Sequence, residues 1–142
     1  IPLFTIFLYR IIFHHPMPEK LLPTFFILIA PPSLGFVSYV KLSGAVDNFA
    51  TVLYFFALFL VILLLAQIPM LYRLRFYLSW WAYSFPIASA AIASMLMYHE
   101  TGSDFYRSLF FAIGLPLTAL VLVLLAFTVR AVRNGEICVA EG

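Results

Sequence analysis

The stretch VLYFFALFLVILLLA at residues 52–66 decides the class of fold, because it holds neither a charged residue nor a proline. It lies inside one of four windows without a charged residue, which are 21–40, 48–72, 76–98 and 108–129. Each window can cross about 30 Å of hydrocarbon as an α-helix. A lipid-exposed backbone must satisfy its own hydrogen bonds, and a β-barrel would show alternating segments of about ten residues. The continuous apolar runs therefore predict helices.

Composition points the same way and excludes other classes. The chain has 142 residues, of which 65% are hydrophobic and 10% charged, with a net charge of +2. A soluble domain carries about 25% charged residues, so a soluble enzyme or a nucleic-acid binder is not expected. Cys138 is the single cysteine, and the three histidines lie at the ends of the windows. No phosphate-binding loop or catalytic triad is present. We expect no enzyme activity, no metal and no cofactor.

The predicted architecture is an all-α membrane protein. We expect a transmembrane domain over 1–133 and a cytoplasmic tail over 134–142. Four full spans are predicted at about 21–41, 48–71, 75–98 and 105–132. The opening run over 1–13 is a partial span, because only its first nine residues are continuously apolar and about 20 are needed to cross. We interpret the chain as a fragment that begins inside a helix. The short connections predict antiparallel helical hairpins.

Basic residues predict the orientation, since cytoplasmic loops hold most of the Lys and Arg. Alternate ends of the hairpins divide them six to two. One side holds Arg10, Lys20, Arg73, Arg75, Arg130 and Arg133, and the other holds Lys41 and Arg107. The first side, with the C-terminus, is expected in the cytoplasm.

Prolines and small residues distinguish alternate spans. Pro31, Pro32 and Pro86 lie within the first and third full spans, where a proline bends or breaks a helix. The bend can be a packing kink, or it can face a water-filled cavity. The small residues over 88–94 fit either tight helix contacts or the wall of a narrow pore. The second and fourth spans are bulky and apolar, although Pro116 lies in the fourth. We therefore expect an inner ring of helices inside an outer ring.

Three motifs carry a resemblance to a known family. They are APPS at 30–33, FFALFL at 55–60 and WWAYSFPIASAAIASMLMY at 80–98. In order and spacing the chain resembles the slow anion channel and tellurite-resistance/dicarboxylate transporter family, also called voltage-dependent anion channels, from about residue 17 to 133. The resemblance implies ten helices arranged as five hairpins around a central pore, with odd-numbered helices inside, in a homotrimer. The chain would be the C-terminal half, with the end of helix six and helices seven to ten.

The resemblance also implies a site. A phenylalanine on the ninth helix gates the pore in this family, and Phe85 matches it; without the resemblance Phe85 would be ordinary apolar bulk. Candidate residues for the pore kink and lining are Pro31, Pro32, Ser33, Pro86 and Ser89. Arg73 and Arg75 are candidates for a positive potential at the cytoplasmic mouth, and their ordinary role is to set topology.

The expected function is transport of small inorganic or organic anions, from chloride to tellurite or C4-dicarboxylates, across the plasma (inner) membrane. No span has a charged residue in its middle, which favours a passive pore over a proton relay. Two alternatives stay open: a non-transporting membrane scaffold subunit, and a proton-coupled dicarboxylate carrier whose ionisable residue lies elsewhere.

Overall fold

A computed structural model describes residues 2–13, 25–67 and 78–134, of which 92% are helical, with no strand in these ranges. The expected all-α class is confirmed. The α-helices are α1 (Pro2–Phe13), α2 (Ala30–Ser43), α3 (Asn48–Leu65), α4 (Ser84–Thr101) and α5 (Asp104–Arg133). Two 3₁₀ helices, at 25–29 and Leu78–Tyr83, directly precede α2 and α4.

Three helical stretches in this part of the chain are long and apolar enough to cross a membrane. They are Phe25–Ser43, Asn48–Leu65 and Asp104–Arg133. The sequence predicts four full spans, and α4 is the one outside this set. Its 18 residues include many Ala and Ser and end in His99 and Glu100, so it is less apolar than its neighbours.

Helix ends differ from the expected boundaries for local reasons. α3 ends at Leu65 with Ala66 as its C-cap, and residues 68–71 of the expected span lie outside the described ranges. α2 begins at Ala30, after the 3₁₀ helix over 25–29, and residues 21–24 lie outside the described ranges. α5 covers the expected 105–132 with one more residue at each end. Only Asn134 of the expected tail is described.

α2 and α3 form an antiparallel hairpin. The Phe36 and Tyr54 ring centroids lie 5.4 Å apart, and Ile29, seven residues earlier, shares a buried cluster with Val61, seven residues later. The turn begins at Gly44, which has φ of 74° and donates its N–H to the Val40 carbonyl. A left-handed glycine of this kind ends helices because it has no Cβ to clash.

α4 and α5 form a second antiparallel hairpin with the same kind of turn. Trp81, just before α4, donates a hydrogen bond of 3.0 Å to Thr128 near the end of α5. At the opposite end, the Arg107 guanidinium lies 5.8 Å from the Tyr98 ring centroid. Gly102 has φ of 69° and closes α4 as Gly44 closes α2.

The two hairpins pack side by side with α2 and α4 parallel. The Phe26 ring lies 4.7 Å from the Tyr83 ring at the start of both helices. Further along, Val40 shares a buried cluster with Ala93 and Met97. α4 contacts α2, α3 and α5, and α1 packs against α3 through Phe4 and Phe56, 5.6 Å apart. α4 is therefore the central helix of this part of the molecule.

Candidate functional site

The two inner helices, α2 and α4, begin in the same way. Ile29 (φ −70°, ψ −34°) and Tyr83 (φ −70°, ψ −33°) join a 3₁₀ helix to an α-helix without a turn between them. Pro31, Pro32 and Pro86 then occupy the first turn, where an α-helix has no intrahelical partner for its N–H groups. The prolines therefore lie where the helix type changes, and not in the middle of a continuous α-helix as the sequence suggested.

Pro86 and Phe85 are neighbours on α4 but differ sharply in exposure. Pro86 is less than 2% exposed, whereas Phe85 is 60% exposed. Ser89 is buried as well, and its hydroxyl donates a hydrogen bond of 2.7 Å to the Pro86 carbonyl. Because neighbouring residues of a helix point about 100° apart, the side of α4 that buries Pro86 leaves the Phe85 ring exposed.

The exposed large side chains of α4 follow one narrow stripe. Phe85, Ile92, Met95 and His99 are exposed, and most residues between them are buried. Their spacing of seven, three and four residues is that of one face of an α-helix. We name these four residues the α4 stripe. Since α2, α3 and α5 cover the other sides of the helix, the stripe faces away from the packed hairpins.

The first inner helix exposes a similar stripe, which begins in the 3₁₀ helix before α2. Ile27, Pro31, Leu34 and Ser38 are exposed at spacings of four, three and four residues, and we name them the α2 stripe. The two helices are parallel, so the α2 stripe lies at the same depths as the α4 stripe. Neither stripe has a charged residue between 25 and 40 or between 84 and 98. The inner helices thus present two exposed stripes without a charged residue over 25–40 and 84–98.

The six residues proposed from sequence for the kink and the pore divide into two groups. Pro31 and Phe85 belong to the stripes. The other four are buried among the helices, and they are Pro32, Ser33, Pro86 and Ser89. The Ser33 hydroxyl has no hydrogen-bond partner among the described residues. Within this chain these four side chains pack among the inner helices and their neighbours.

Sequence reasoning missed six stripe residues. They are Ile27, Leu34, Ser38, Ile92, Met95 and His99. The signal that could have found them is their spacing of seven, or of three and four, from Pro31 and Phe85. Arg73 and Arg75, the candidates for the cytoplasmic mouth, lie outside the described residues.

Charged groups lie at the opposite end of the inner helices from their 3₁₀ starts. The His99 ring nitrogen Nδ1 lies 3.4 Å from Glu100, and Arg107 lies 3.4 Å from Asp104. At the α2–α3 turn, the Ala50 N–H and the Tyr39 hydroxyl both donate to Asp47, and these hydrogen bonds lower the pKa of its carboxyl. In the described ranges no group of three His, Cys, Asp or Glu side chains could hold a metal ion.

Apolar helices packed as hairpins, with their bulky side chains outward, define an integral membrane protein. The family whose model matches it is one of anion channels and transporters, which are not enzymes. The chain belongs to the voltage-dependent anion channel family, which it matches over residues 1–129. The family resemblance seen in the sequence is confirmed.

Its relatives include plant channels and an archaeal transporter. The chain is 38% identical to the S-type anion channel SLAH3 of Arabidopsis thaliana over 93 residues, which are 66% of this chain and 15% of the relative. It is 30% identical to the guard cell S-type anion channel SLAC1 of the same plant, over 79% of this chain and 20% of the relative. An uncharacterized transporter of Methanocaldococcus jannaschii is 29% identical over 95% of this chain and 43% of the relative. The chain thus spans less than half the length of these relatives.

Proposed function

We propose that the protein conducts small anions through a pore bordered by the α2 and α4 stripes, with Phe85 as the gate. The observation that carries the proposal is the exposure of Phe85: it is a large aromatic ring, 60% exposed, on a helix that α2, α3 and α5 all contact. The relatives that are named as anion channels support anions as the transported ions.

The proposed mechanism is passive. Neither stripe carries an ionisable side chain between its ends, so the described inner helices offer no proton relay. An anion would meet a neutral lumen whose permeability depends on its width and on whether it stays wet at an apolar constriction. The Phe85 ring would supply that constriction. Pro86 and Ser89 would act by holding the first turn of α4 in place.

We further propose that Leu78–Thr101 crosses the membrane as the fourth full span. A 3₁₀ helix rises about 2.0 Å per residue and an α-helix about 1.5 Å. Six residues of the first and 18 of the second reach about 39 Å, which exceeds the hydrocarbon thickness of about 30 Å. α1 would be the end of a fifth span, and further hairpins would complete a ring around a central pore.

The remaining elements of the proposal concern the assembly. The excess of Arg and Lys at one end of the hairpins supports a cytoplasmic C-terminus. On that side Arg73 and Arg75 would raise the local potential for anions. A homotrimer, a plasma (inner) membrane location and a substrate range that includes tellurite or dicarboxylates follow from the family resemblance.

The test is anion current from the protein expressed at its full natural length, wild type against Phe85→Ala. Removing the ring widens the constriction, and we expect current to rise about tenfold or more, a barrier lower by about 1.4 kcal/mol. Phe111→Ala is the matched control, because Phe111 is 51% exposed on α5, outside both stripes; its current should match wild type.

Equal current in Phe85→Ala and Phe111→Ala would contradict a gate at Phe85. No current in any folded form would contradict the channel. In that case anion uptake driven by a pH gradient would identify a proton-coupled carrier, and no uptake would identify a scaffold.

A further inference from the structure

A half-open apolar cavity of about 320 Å³ lies behind the inner helices, on the side away from the stripes. Its walls come from α3, through Val61 and Leu65, and from α5, through Ile113 and Leu117. Its floor includes Trp80 and Tyr83 of the 3₁₀ helix before α4, together with the 3₁₀ helix before α2 and the first turn of α4.

The cavity lies between α3 and α5. The two helices meet near one end, where the Tyr54 and Tyr106 rings lie 5.5 Å apart. Nearer the C-terminal end of α3, Val61 and Leu65 line the cavity from one side and Ile113 and Leu117 of α5 line it from the other. Pro116 of α5 also lines it. These two walls belong to the most apolar spans of the chain, with mean hydropathies of 2.5 and 2.7.

We infer that this cavity binds one acyl chain of a membrane lipid. Water needs two to four polar partners to stay in a cavity, and the side chains that line this one are almost all hydrocarbon. An engineered cavity of about 150 Å³ holds benzene, with six carbons, so this one has room for about twelve carbons. Its mouth lies between Leu65, which is 47% exposed, and Ala112, which is also exposed. Both mouth residues belong to spans that lie in the bilayer, so the medium at the mouth is lipid hydrocarbon.

The acyl chain would lie against the segment that carries the proposed gate. Tyr83 and Ile87, each two residues from Phe85, both line the cavity. Tyr83 also packs on Phe26 at the start of α2. A filled cavity therefore supports the first turns of both inner helices, and an empty one leaves them free to shift. The effect on current rests on the proposed function, whereas binding of the chain does not.

Brominated lipid tests the binding, because bromine on an acyl chain quenches tryptophan at short range. The protein, at its full natural length, is reconstituted in vesicles of phosphatidylcholine with or without bromine on the chains. Trp80 lines the cavity, whereas Trp81 donates its N–H to Thr128 and does not line it. We expect the quenched component to disappear in Trp80→Phe and to persist in Trp81→Phe.

Two substitutions on α5 show whether the quenching chain is inside the cavity. Ala112→Phe fills the mouth and should reduce quenching of Trp80 about twofold or more. Leu117→Phe should do the same from the next turn. Leu115→Phe is the control, since Leu115 is exposed on α5 and does not line the cavity; it should leave quenching unchanged.

Unquenched Trp80 would overturn the proposal, because protein and not lipid would then cover the mouth. Equal quenching of Trp80 and Trp81, insensitive to Ala112→Phe, would overturn it as well. Current is recorded on the same variants: if Ala112→Phe changes quenching in a protein that conducts no anion, the lipid site stands and the channel fails. If current is normal and quenching is absent, the channel stands and the lipid site fails.

Discussion

α4 and α5 are adjacent helices of one hairpin, yet they are buried to very different degrees. Eight of the 18 residues of α4 are buried, and they are mostly Ala, Ser and other small or medium side chains. Two of the 30 residues of α5 are buried, Leu124 and Ala131. The helix with the larger and more apolar side chains is thus the exposed one.

The difference in burial between α4 and α5 follows from the lipid that surrounds a membrane protein in place of water. In water, large apolar side chains move inward because burial removes them from water. In a bilayer the lipid tails are as apolar as Leu, so close packing and hydrogen bonds decide which helix is enclosed. Small residues let backbones approach, and the hydroxyls of Ser89 and Ser94 bond within the packed region. Size and hydrogen bonding therefore place α4 inside.

Ala93→Leu is expected to break this arrangement most strongly. Ala93 is 1% exposed and lies in a cluster with Phe36 and Tyr54, so three added carbons have no room. Overpacking of this kind costs about 1–3 kcal/mol. The measurement is the midpoint of unfolding in a mild detergent titrated with a denaturing one.

Ala126→Leu on α5 is the matched control for Ala93→Leu. It makes the same chemical change at an exposed position of the outer helix, where lipid can move aside. Its midpoint should match wild type. An equal fall of the unfolding midpoint in Ala93→Leu and Ala126→Leu would show that α4 is not packed more tightly than α5.

Tyr54→Phe sharpens the comparison at a single hydrogen bond. The Tyr54 hydroxyl lies 3.0 Å from the Ser94 hydroxyl, which itself donates to the Ala90 carbonyl at 3.0 Å. This is a buried bond between α3 and α4. Bonds between helices within membranes average about 0.6 kcal/mol, and we expect a loss near that value. A stability equal to wild type in the unfolding titration would mean that shape alone holds α4.

Thr128→Val tests the contact between α5 and the start of α4. Thr128 accepts the Trp81 N–H at 3.0 Å and donates to the Leu124 carbonyl at 2.7 Å. Because this site is only partly buried, we expect a loss of about 0.5 kcal/mol or less. Thr118→Val is the control, since the Thr118 hydroxyl bonds only the Gly114 carbonyl of its own helix. If Thr118→Val lost more stability than Thr128→Val, the hydrogen bond from Trp81 to Thr128 would not hold α5 to the start of α4.

Much of the fold could be predicted from the sequence. Charge-free windows predicted the α-helical class, and the alternation of small and bulky helices predicted that α4 would be enclosed and α5 exposed. The 3₁₀ starts of α2 and α4 could not be predicted, because a proline fits the first turn of a helix as well as a kink. The 3₁₀ helix Leu78–Tyr83 adds about 12 Å to the length of α4 itself.

The candidate site was predictable in part. The sequence and the family resemblance led to Phe85 and Pro31, which are exposed, and also to Ser33 and Ser89, which are buried. Neighbouring residues of a helix point about 100° apart, so the consecutive residues of one motif cannot all lie on the same face. The cavity behind α4 could not be predicted at all, because residues from five separate elements line it and their packing is not visible in the sequence.

The smallest expected effect lies outside the membrane, at the cap of α3. The Ala50 N–H and the Tyr39 hydroxyl lower the pKa of Asp47 in the folded protein, so the ionised cap stabilises the hairpin above the ordinary pKa of 3.8 and loses this effect as the pH falls through the lowered value. Ser103 at the start of α5 makes no side-chain cap bond, and Ser103→Ala should leave stability unchanged.

Asp47→Asn separates this effect from the other carboxyls. Asn also caps helices but does not titrate, so the wild type should lose more stability than Asp47→Asn between pH 5 and pH 3 in the unfolding titration. An equal loss of stability between pH 5 and pH 3 in both proteins would show that the Asp47 charge does not stabilise the hairpin. The difference in stability between the two proteins should be small, because Asp47 is exposed to water. A small difference would mean that packing of α4 within the membrane holds the hairpins together far more than the turns outside it.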